Sequence, residues 1–315
     1  MPSPSPCKYS VVIPVFNSEP IIETTVQRTV DFFEGKQLDY EIVLVNDGSS
    51  DGSWEKIKDI AHYRSTVKAI NLLKNYGQHN ANLCGFRSAV GDWVITMDDD
   101  LQNPPEEIEK LIGKAEEGYE LIIGQFRQKK HAMYRRLGSR LINRINKSIF
   151  ATPDGIVLSN FRLISRQVID RICEYQTGYP YIPGLTIMFA HSVANVEVEH
   201  HSRSHAESNY NFSRILKLVA TILFNYSSYP LRLMSYIGII VAVISLLTGG
   251  FYIAKGILFG ASASGWLTIV VLISIFSAII MAMLGMIGEY LVRLINQTSN
   301  AQSYVIKEVV KENES

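Results

Sequence analysis

Several things are scarce in this 315-residue chain, and each scarcity excludes something. There are 3 cysteines, Cys7, Cys84 and Cys173, odd in number, far apart and without metal-ligand spacing, so neither a disulfide frame nor a cysteine-bound zinc is expected. Net charge is absent: 30 basic residues balance 30 acidic ones, and nothing calls for a nucleic-acid partner. The N-terminal stretch MPSPSPCKYS has no apolar run long enough for a secretory signal and reads as a flexible lead-in, residues 1–8. No internal repeat and no extended low-complexity tract is found. No G-x-G-x-x-G follows the first apolar run, which counts against a dinucleotide-dependent dehydrogenase.

What is present is ordered in alternation. Tyr9–Phe16 is an apolar strand pattern, followed by an amphipathic helix from about Pro20 to Phe33. Glu41–Asn46 reads as a second strand, Trp54–Ala61 as a helix, Val67–Leu72 as a third strand, Gly77–Val90 as a helix and Trp93–Met97 as a fourth strand. Leu121–Gly124 adds another strand. Strands alternating with helices predict an α/β domain with a doubly wound, mostly parallel sheet.

The most informative stretch is Gly91–Glu107, GDWVITMDDDLQNPPEE. A short buried strand runs straight into Asp98, Asp99 and Asp100, and Asn103-Pro104-Pro105 is expected to start a helix with Asn103 as N-cap. In an extended strand, residues two apart share a side, so Asp98 and Asp100 are expected to converge on one cation while Asp99 points elsewhere. Oxygen ligands select a hard ion, Mg²⁺ or Mn²⁺, which completes its shell with phosphate and water. A solvated acidic turn capping a helix is the bland alternative.

The 9 residues Asp98–Glu106, DDDLQNPPE, resemble the DxDLQxPPE signature of the polyprenyl-phosphate glycosyltransferases of glycosyltransferase family 2, such as bacterial undecaprenyl-phosphate sugar transferases and dolichyl-phosphate mannose synthase. The resemblance implies a GT-A domain and a metal held by Asp98 and Asp100 with Gln102 nearby. It covers nearly the whole chain, to about Val292. Pro14, Phe16 and Asn17 match the family's P-x-Y-N segment, and Asp47 matches the second Asp of its DDGS loop, segments that hold base and ribose in the family; Asn46 replaces the first Asp. His79, in the segment Lys74–His79, reads either as a neighbour of the nucleotide or as a plain helix-start histidine.

Downstream, Arg127 opens a basic run with Lys129, Lys130, Arg135, Arg136, Arg140 and Arg144, either a solvated helix face or a phosphate and anionic-lipid site. Ser159–Arg166, SNFRLISR, is similar to the family's G-D-F-R-L-x-S-R segment with Asn160 in place of Asp. By this resemblance Arg162, with Arg127 and Arg203, is expected to receive the lipid phosphate. A phosphomonoester is already largely dianionic at neutral pH, so no obligatory base is needed. His200, His201 and His205 lack partners for a zinc site and read as an interfacial loop.

From Leu233 to Ala254 and from Gly256 to Gly288 there is no charged residue. Two spans, about Met234–Ala254 and Trp266–Ile287, are long enough to cross a bilayer as a hairpin. Arg214, Lys217, Arg232, Arg293, Lys307 and Lys311 flank the pair, which predicts both ends on the cytoplasmic side. The expected organisation is therefore a cytoplasmic GT-A domain (9–211), an interfacial amphipathic helix (212–232), a transmembrane hairpin (233–292) and a cytoplasmic tail (293–315) on the inner membrane. The expected reaction is inverting transfer of one sugar from a nucleotide donor, UDP-linked, to undecaprenyl phosphate, for cell-envelope glycan modification. A homo-oligomer is compatible with this reading. A processive polysaccharide synthase is the nearest rival, disfavoured by the missing Q-x-x-R-W segment and only two spans; a non-catalytic membrane scaffold is the other.

Overall fold

A computed structural model describes residues 8–126, 147, 149–199, 219, 222–223, 226–227, 229–259, 266–298 and 303–311. The chain divides into two compact units, Met1–Ile215 with Gln302–Ser315, and Leu216–Ala301.

The first unit is built on one sheet. Its strands are β1 (Tyr9–Val15), β2 (Tyr40–Asn46), β3 (Val67–Leu72), β4 (Trp93–Thr96), β5 (Leu121–Phe126), β6 (Arg162–Ser165), β7 (Val193–Val198) and β8 (Ile306–Val310). Among the described residues they lie in the order β7-β5-β6-β4-β1-β2-β3-β8. The pairings β3-β2-β1-β4 are parallel, as the alternating pattern predicts, while β6 is antiparallel to β4 and β5, and β8 is antiparallel to β3.

The helices are α1 (Ile22–Gly35), α2 (Ser53–Tyr63), α3 (Gln78–Ser88), α4 (Ile108–Ala115), α5 (Arg166–Glu174) and α6 (Ile182–Phe189). β1 is buried along its whole length, which is why it reads as a continuous apolar run. α1 lays Ile22, Val26, Val30 and Phe33 on one face, and these join Val11, Ile13, Leu44 and Ile57 in the main core. Each fully buried side chain of this kind contributes about 1.5–3 kcal/mol relative to exposure.

The register sets up the site. Val15 stands beside Asn46 and Val12 beside Thr96, so the loops after β1, β2 and β4 leave the sheet on one side. Because β6 runs the other way, its first residue Arg162 pairs with Thr96, the last residue of β4, and the chain before it, including Asn160, arrives at that same edge. Ligands of open α/β sheets bind beyond the carboxyl ends of such strands.

Two local expectations need correction. β4 stops at Thr96, so Asp98, Asp99 and Asp100 occupy a turn rather than an extended strand, and Leu101 takes a positive φ of 56°. Asn103 does not cap the following helix: a single 3₁₀ turn, Pro105–Glu107, precedes α4, its cap position is Pro104, and the buried Asn103 Oδ1 has no hydrogen-bond partner. The residue before a proline is pushed to extended geometry, which moves the start one residue on.

In the second unit, α7 (Tyr229–Phe259) has 31 residues and α8 (Trp266–Thr298) has 33, and the two pack on each other. Among the described residues no helix is long and apolar enough to cross a membrane. Most of the expected interfacial helix lies outside the described residues.

Candidate active site

The loop after β1 is the first wall. Asn17 adopts a left-handed φ of 52°, tolerable for Asn; its Oδ1 accepts from Ser50 N–H at 2.9 Å, and the Asn17 N–H donates to Ser49 Oγ at 3.0 Å. Gly52 N–H donates to Glu19 Oε2 at 2.9 Å, and Glu19 N–H to Asp51 Oδ2 at 3.1 Å. The loops after β1 and β2 are thus stitched into one rim, with Phe16 48% exposed beside them. Pro14 is placed inside β1 opposite Val45 and acts there as a strand residue.

Asp47 is buried, with Oδ1 accepting from Tyr76 N–H at 2.7 Å and Oδ2 from Gly77 N–H at 2.9 Å. Burial raises its pKa and the two backbone donors pull it back. Gly77 has φ 90°, a conformation side chains disfavour, and Gly48 packs so tightly that an added Cβ would stand 2.5 Å from Asn75 N. The carboxylate that the resemblance assigns to the nucleotide therefore also ties the loop after β3 to the loop after β2. Asn46 is buried beside it, donating from Nδ2 to Asn71 Oδ1 at 2.8 Å.

The three aspartates diverge. Asp99 turns toward the β1 loop, where one oxygen, Oδ2, accepts from Phe16 N–H at 3.2 Å and from the Ser18 hydroxyl in a short bond. Burial, with Asp100 and Asp98 beside it, pushes its pKa up to about 6 against the pull of those two donors. Asp98 turns toward α3 and β6: Oδ1 accepts from Gln78 Nε2 at 2.6 Å and from Asn160 Nδ2 at 3.4 Å. Asp100 Oδ1 accepts from the backbone N–H of Gln102 at 3.1 Å. Burial first, and then repulsion from Asp100, raises the pKa of Asp98. A hard divalent cation beside Asp98 and Asp100 would relieve the burial and repulsion that raise Asp98. Among the described residues no group of three or more His, Cys, Asp or Glu is arranged for a metal, so any such ion would take its remaining ligands from substrate and water.

Arg162 departs from expectation. Its side chain is 1% exposed, and Nη2 donates to Asn160 Oδ1 at 3.1 Å. Nε and Nη1 are buried without a hydrogen-bond partner. Burial lowers its pKa to about 10, with Tyr181 and Asp98 opposing, so it stays charged at neutral pH. The guanidinium is enclosed in the fold, and its described hydrogen bond is the one to Asn160. The β6 pairing that places it beside Thr96 was not visible in the sequence. His79 lies close by, with its ring edge-on to Tyr181 at 5.4 Å between centroids and its Nδ1 buried and unpartnered. Burial, and then the charge of Arg162, lower its pKa to about 4, so it is neutral. Arg127, the basic run to Arg144, Arg203 and the three histidines at 200–205 lie outside the described residues.

The Glycosyl transferase family 2 pattern matches residues 10–173, which contain every described site residue except Tyr181. The chain belongs to glycosyl transferase family 2. It is 35% identical over 306 residues to the undecaprenyl-phosphate 4-deoxy-4-formamido-L-arabinose transferase of Proteus mirabilis, covering 96% of this chain and 94% of that one. To the enzyme of the same name from Enterobacter sp. strain 638 it is 36% identical, again over 96% and 94%. In fold it matches glucosyl-3-phosphoglycerate synthase from Mycobacterium tuberculosis in complex with Mn²⁺, UDP-glucose and phosphoglyceric acid, with a TM-score of 0.51 and 18% identity over 69% of this chain and 79% of that one. As a family 2 member the protein is a glycosyltransferase on a GT-A fold. Gln78 and Asn160, the two groups that hold Asp98, lie 20 residues before it and 62 after it, and nothing in either local pattern marks the contact.

Proposed function

We propose that this family 2 enzyme transfers a single sugar from a UDP-linked donor to undecaprenyl phosphate on the cytoplasmic side of a membrane, inverting the anomeric centre. The observation that carries the reading is the acidic turn beyond the carboxyl end of β4, where Asp98 lies against Gln78 and Asn160 and repels the neighbouring Asp100. The acceptor is inferred from relatives alike over nearly the full length of both chains. The sugar they carry, 4-deoxy-4-formamido-L-arabinose, is the first donor to test.

Asp98 and Asp100 would hold Mg²⁺ or Mn²⁺, with Gln102 beside them. Bound there, the ion would neutralise charge on the leaving diphosphate as a Lewis acid. The solved neighbour with Mn²⁺ and UDP-glucose is a parallel in fold only. Asn17, Asp47 and the half-exposed Phe16 form the rim on which base and ribose would rest. The acceptor phosphate, dianionic at neutral pH, would meet cations from the basic run beginning at Arg127 and from Arg203.

We further infer that α7 and α8 form a membrane hairpin. Support comes from the complete sequence and not from the described residues alone, among which no helix is long and apolar enough to span: it is uncharged from Leu233 to Ala254 and from Gly256 to Gly288. At 1.5 Å per residue the helices are about 46 and 50 Å long, more than the roughly 30 Å of a hydrocarbon core. Large apolar side chains such as Ile240, Leu247, Phe251, Ile273, Met281 and Leu294 are exposed along both.

Membranes containing the protein, incubated with radiolabelled UDP-sugars and undecaprenyl phosphate, are expected to place label in a butanol-soluble, acid-labile lipid bearing one sugar. Label in polymer would favour a processive synthase, and no transfer from any donor would favour a scaffold.

A further inference from the structure

We propose that Asn160 and Arg162 are positioning residues for Asp98: the buried guanidinium fixes the Asn160 carboxamide, which in turn delivers an N–H to Asp98 Oδ1.

The bond directions follow from the chemistry of the groups. A guanidinium has only donors, so the oxygen of the Asn160 carboxamide must face Arg162, as it does at 3.1 Å from Nη2. That leaves the NH₂ end pointing the other way, 3.4 Å from Asp98 Oδ1. The backbone of Asn160 is itself clipped to the end of β4, where its carbonyl accepts from Thr96 Oγ1 at 2.6 Å. With Gln78 Nε2 at 2.6 Å on the same oxygen, Asp98 is gripped through Oδ1 from two sides.

The charges point the same way. Among the described residues Arg162 makes no direct ion pair, although its side chain is fully enclosed. A buried unpaired cation is costly, and a fold keeps one where a nearby anion repays it. Tyr181 and then Asp98 act on it electrostatically, and of the two Asp98 is the one that Asn160 also touches. The carboxamide thus carries the influence of one buried charge to another without contact between them. An Asp at position 160, as in the resembling segment, would pair with Arg162 directly and set a like charge against Asp98. With Asn there, the positive field of Arg162 remains directed at the carboxylate.

The proposal rests on the reading of Asp98 and Asp100 as cation ligands. Groups that orient a metal ligand typically change metal affinity or activity by about 10- to 100-fold when removed. The test is Mn²⁺ binding to the purified full-length protein with UDP present, followed by calorimetry and by the loss of the free Mn²⁺ resonance signal. Asn160→Ala is expected to weaken Mn²⁺ binding about 10- to 100-fold, to leave UDP affinity without metal within about twofold, and to recover turnover as Mn²⁺ is raised. Arg162→Lys, which keeps the charge and loses the fork, is expected to fall between Asn160→Ala and wild type. If Arg162→Lys fails to fold, Asn160→Ala alone decides.

Asp100→Asn serves as the reference. Mn²⁺ binding lost in Asp100→Asn but within twofold of wild type in a folded Asn160→Ala would overturn this proposal and spare the metal reading. No Mn²⁺ binding by wild type, or binding unchanged in Asp100→Asn, would overturn both.

Discussion

The carboxylate of Asp99 accepts the backbone N–H of Phe16, 83 residues earlier, at 3.2 Å, and the same oxygen takes the Ser18 hydroxyl. The middle aspartate of the acidic turn is thus a clasp between the β4 turn and the rim that begins at Phe16. Its two flanking neighbours turn elsewhere, Asp98 to Gln78 and Asn160 and Asp100 to the backbone N–H of Gln102.

One oxygen does both jobs in that clasp, and this makes a sharp expectation. Asn offers one carbonyl oxygen, so Asp99→Asn should keep both bonds and hold transfer within a few-fold of wild type. Asp99→Ala orphans both donors and should cost about 1–2 kcal/mol of stability. Thermal melts and initial rates on the two variants check this; equal damage from both would mean that the charge, not the oxygen, matters.

Asp47 is built the other way. It spends one oxygen on Tyr76 N–H and the other on Gly77 N–H, so a carboxamide must turn its NH₂ against one of them. Asp47→Asn should therefore lose about 1–3 kcal/mol and weaken UDP binding about tenfold or more, in contrast to Asp99→Asn. UDP calorimetry on the pair would expose the reverse order at once.

His79 supplies a pH signature. Its pKa in the fold, about 4, lies below the ordinary 6.5 because burial, and then Arg162, disfavour the imidazolium. Stability from keeping it neutral is fully present above pH 6.5 and is lost as pH falls toward 4, by no more than about 3 kcal/mol. His79→Phe keeps a ring beside Tyr181 and removes the titration. The wild-type minus variant stability difference, followed by denaturant melts from pH 7.5 to 4.5, should slope in that window; a flat difference removes His79 from the account.

The tail gives a fourth test. β8 pairs with β3, Val310 against Ala69 and Val309 against Ile70, and Tyr304 is buried beside it with Arg87 5.6 Å from its ring centroid. Tyr304→Ala should cost about 3 kcal/mol, within the range for a buried aromatic. A protein ending near Phe212 lacks β8 and leaves β3 as an open edge, so it should aggregate, whereas fusing residues 302–315 back onto it should restore solubility. Equal solubility with and without those residues would argue against a structural role for the strand.

Much of this was legible from residues alone, for reasons visible in the fold. β1, β2 and β3 are buried on both faces and show as apolar runs, and the acidic turn after β4 sits where its sequence neighbours suggested. β6 was not legible because its 4 residues, RLIS, begin with a buried Arg whose burial depends on partners elsewhere in the chain. β8 was hidden in a charged tail: IKEVV exposes Ile306 and Val309 and buries Val310, a pattern too short and too polar to mark a strand. Asp99 could be read as pointing away from its neighbours, but what it grips lies 83 residues off.

The return of the chain at β8 also sets a schedule. Residues 216–301 are interposed between two parts of one folding unit. During synthesis the sheet stays one strand short, with β3 as its border, until both long helices have been made. The last ladder, from Ile306 to Val310, closes only afterwards. Completion of the catalytic half is therefore timed by the arrival of the helical half, and a protein stalled in making its helices would present an unfinished sheet to the quality-control machinery of the cell.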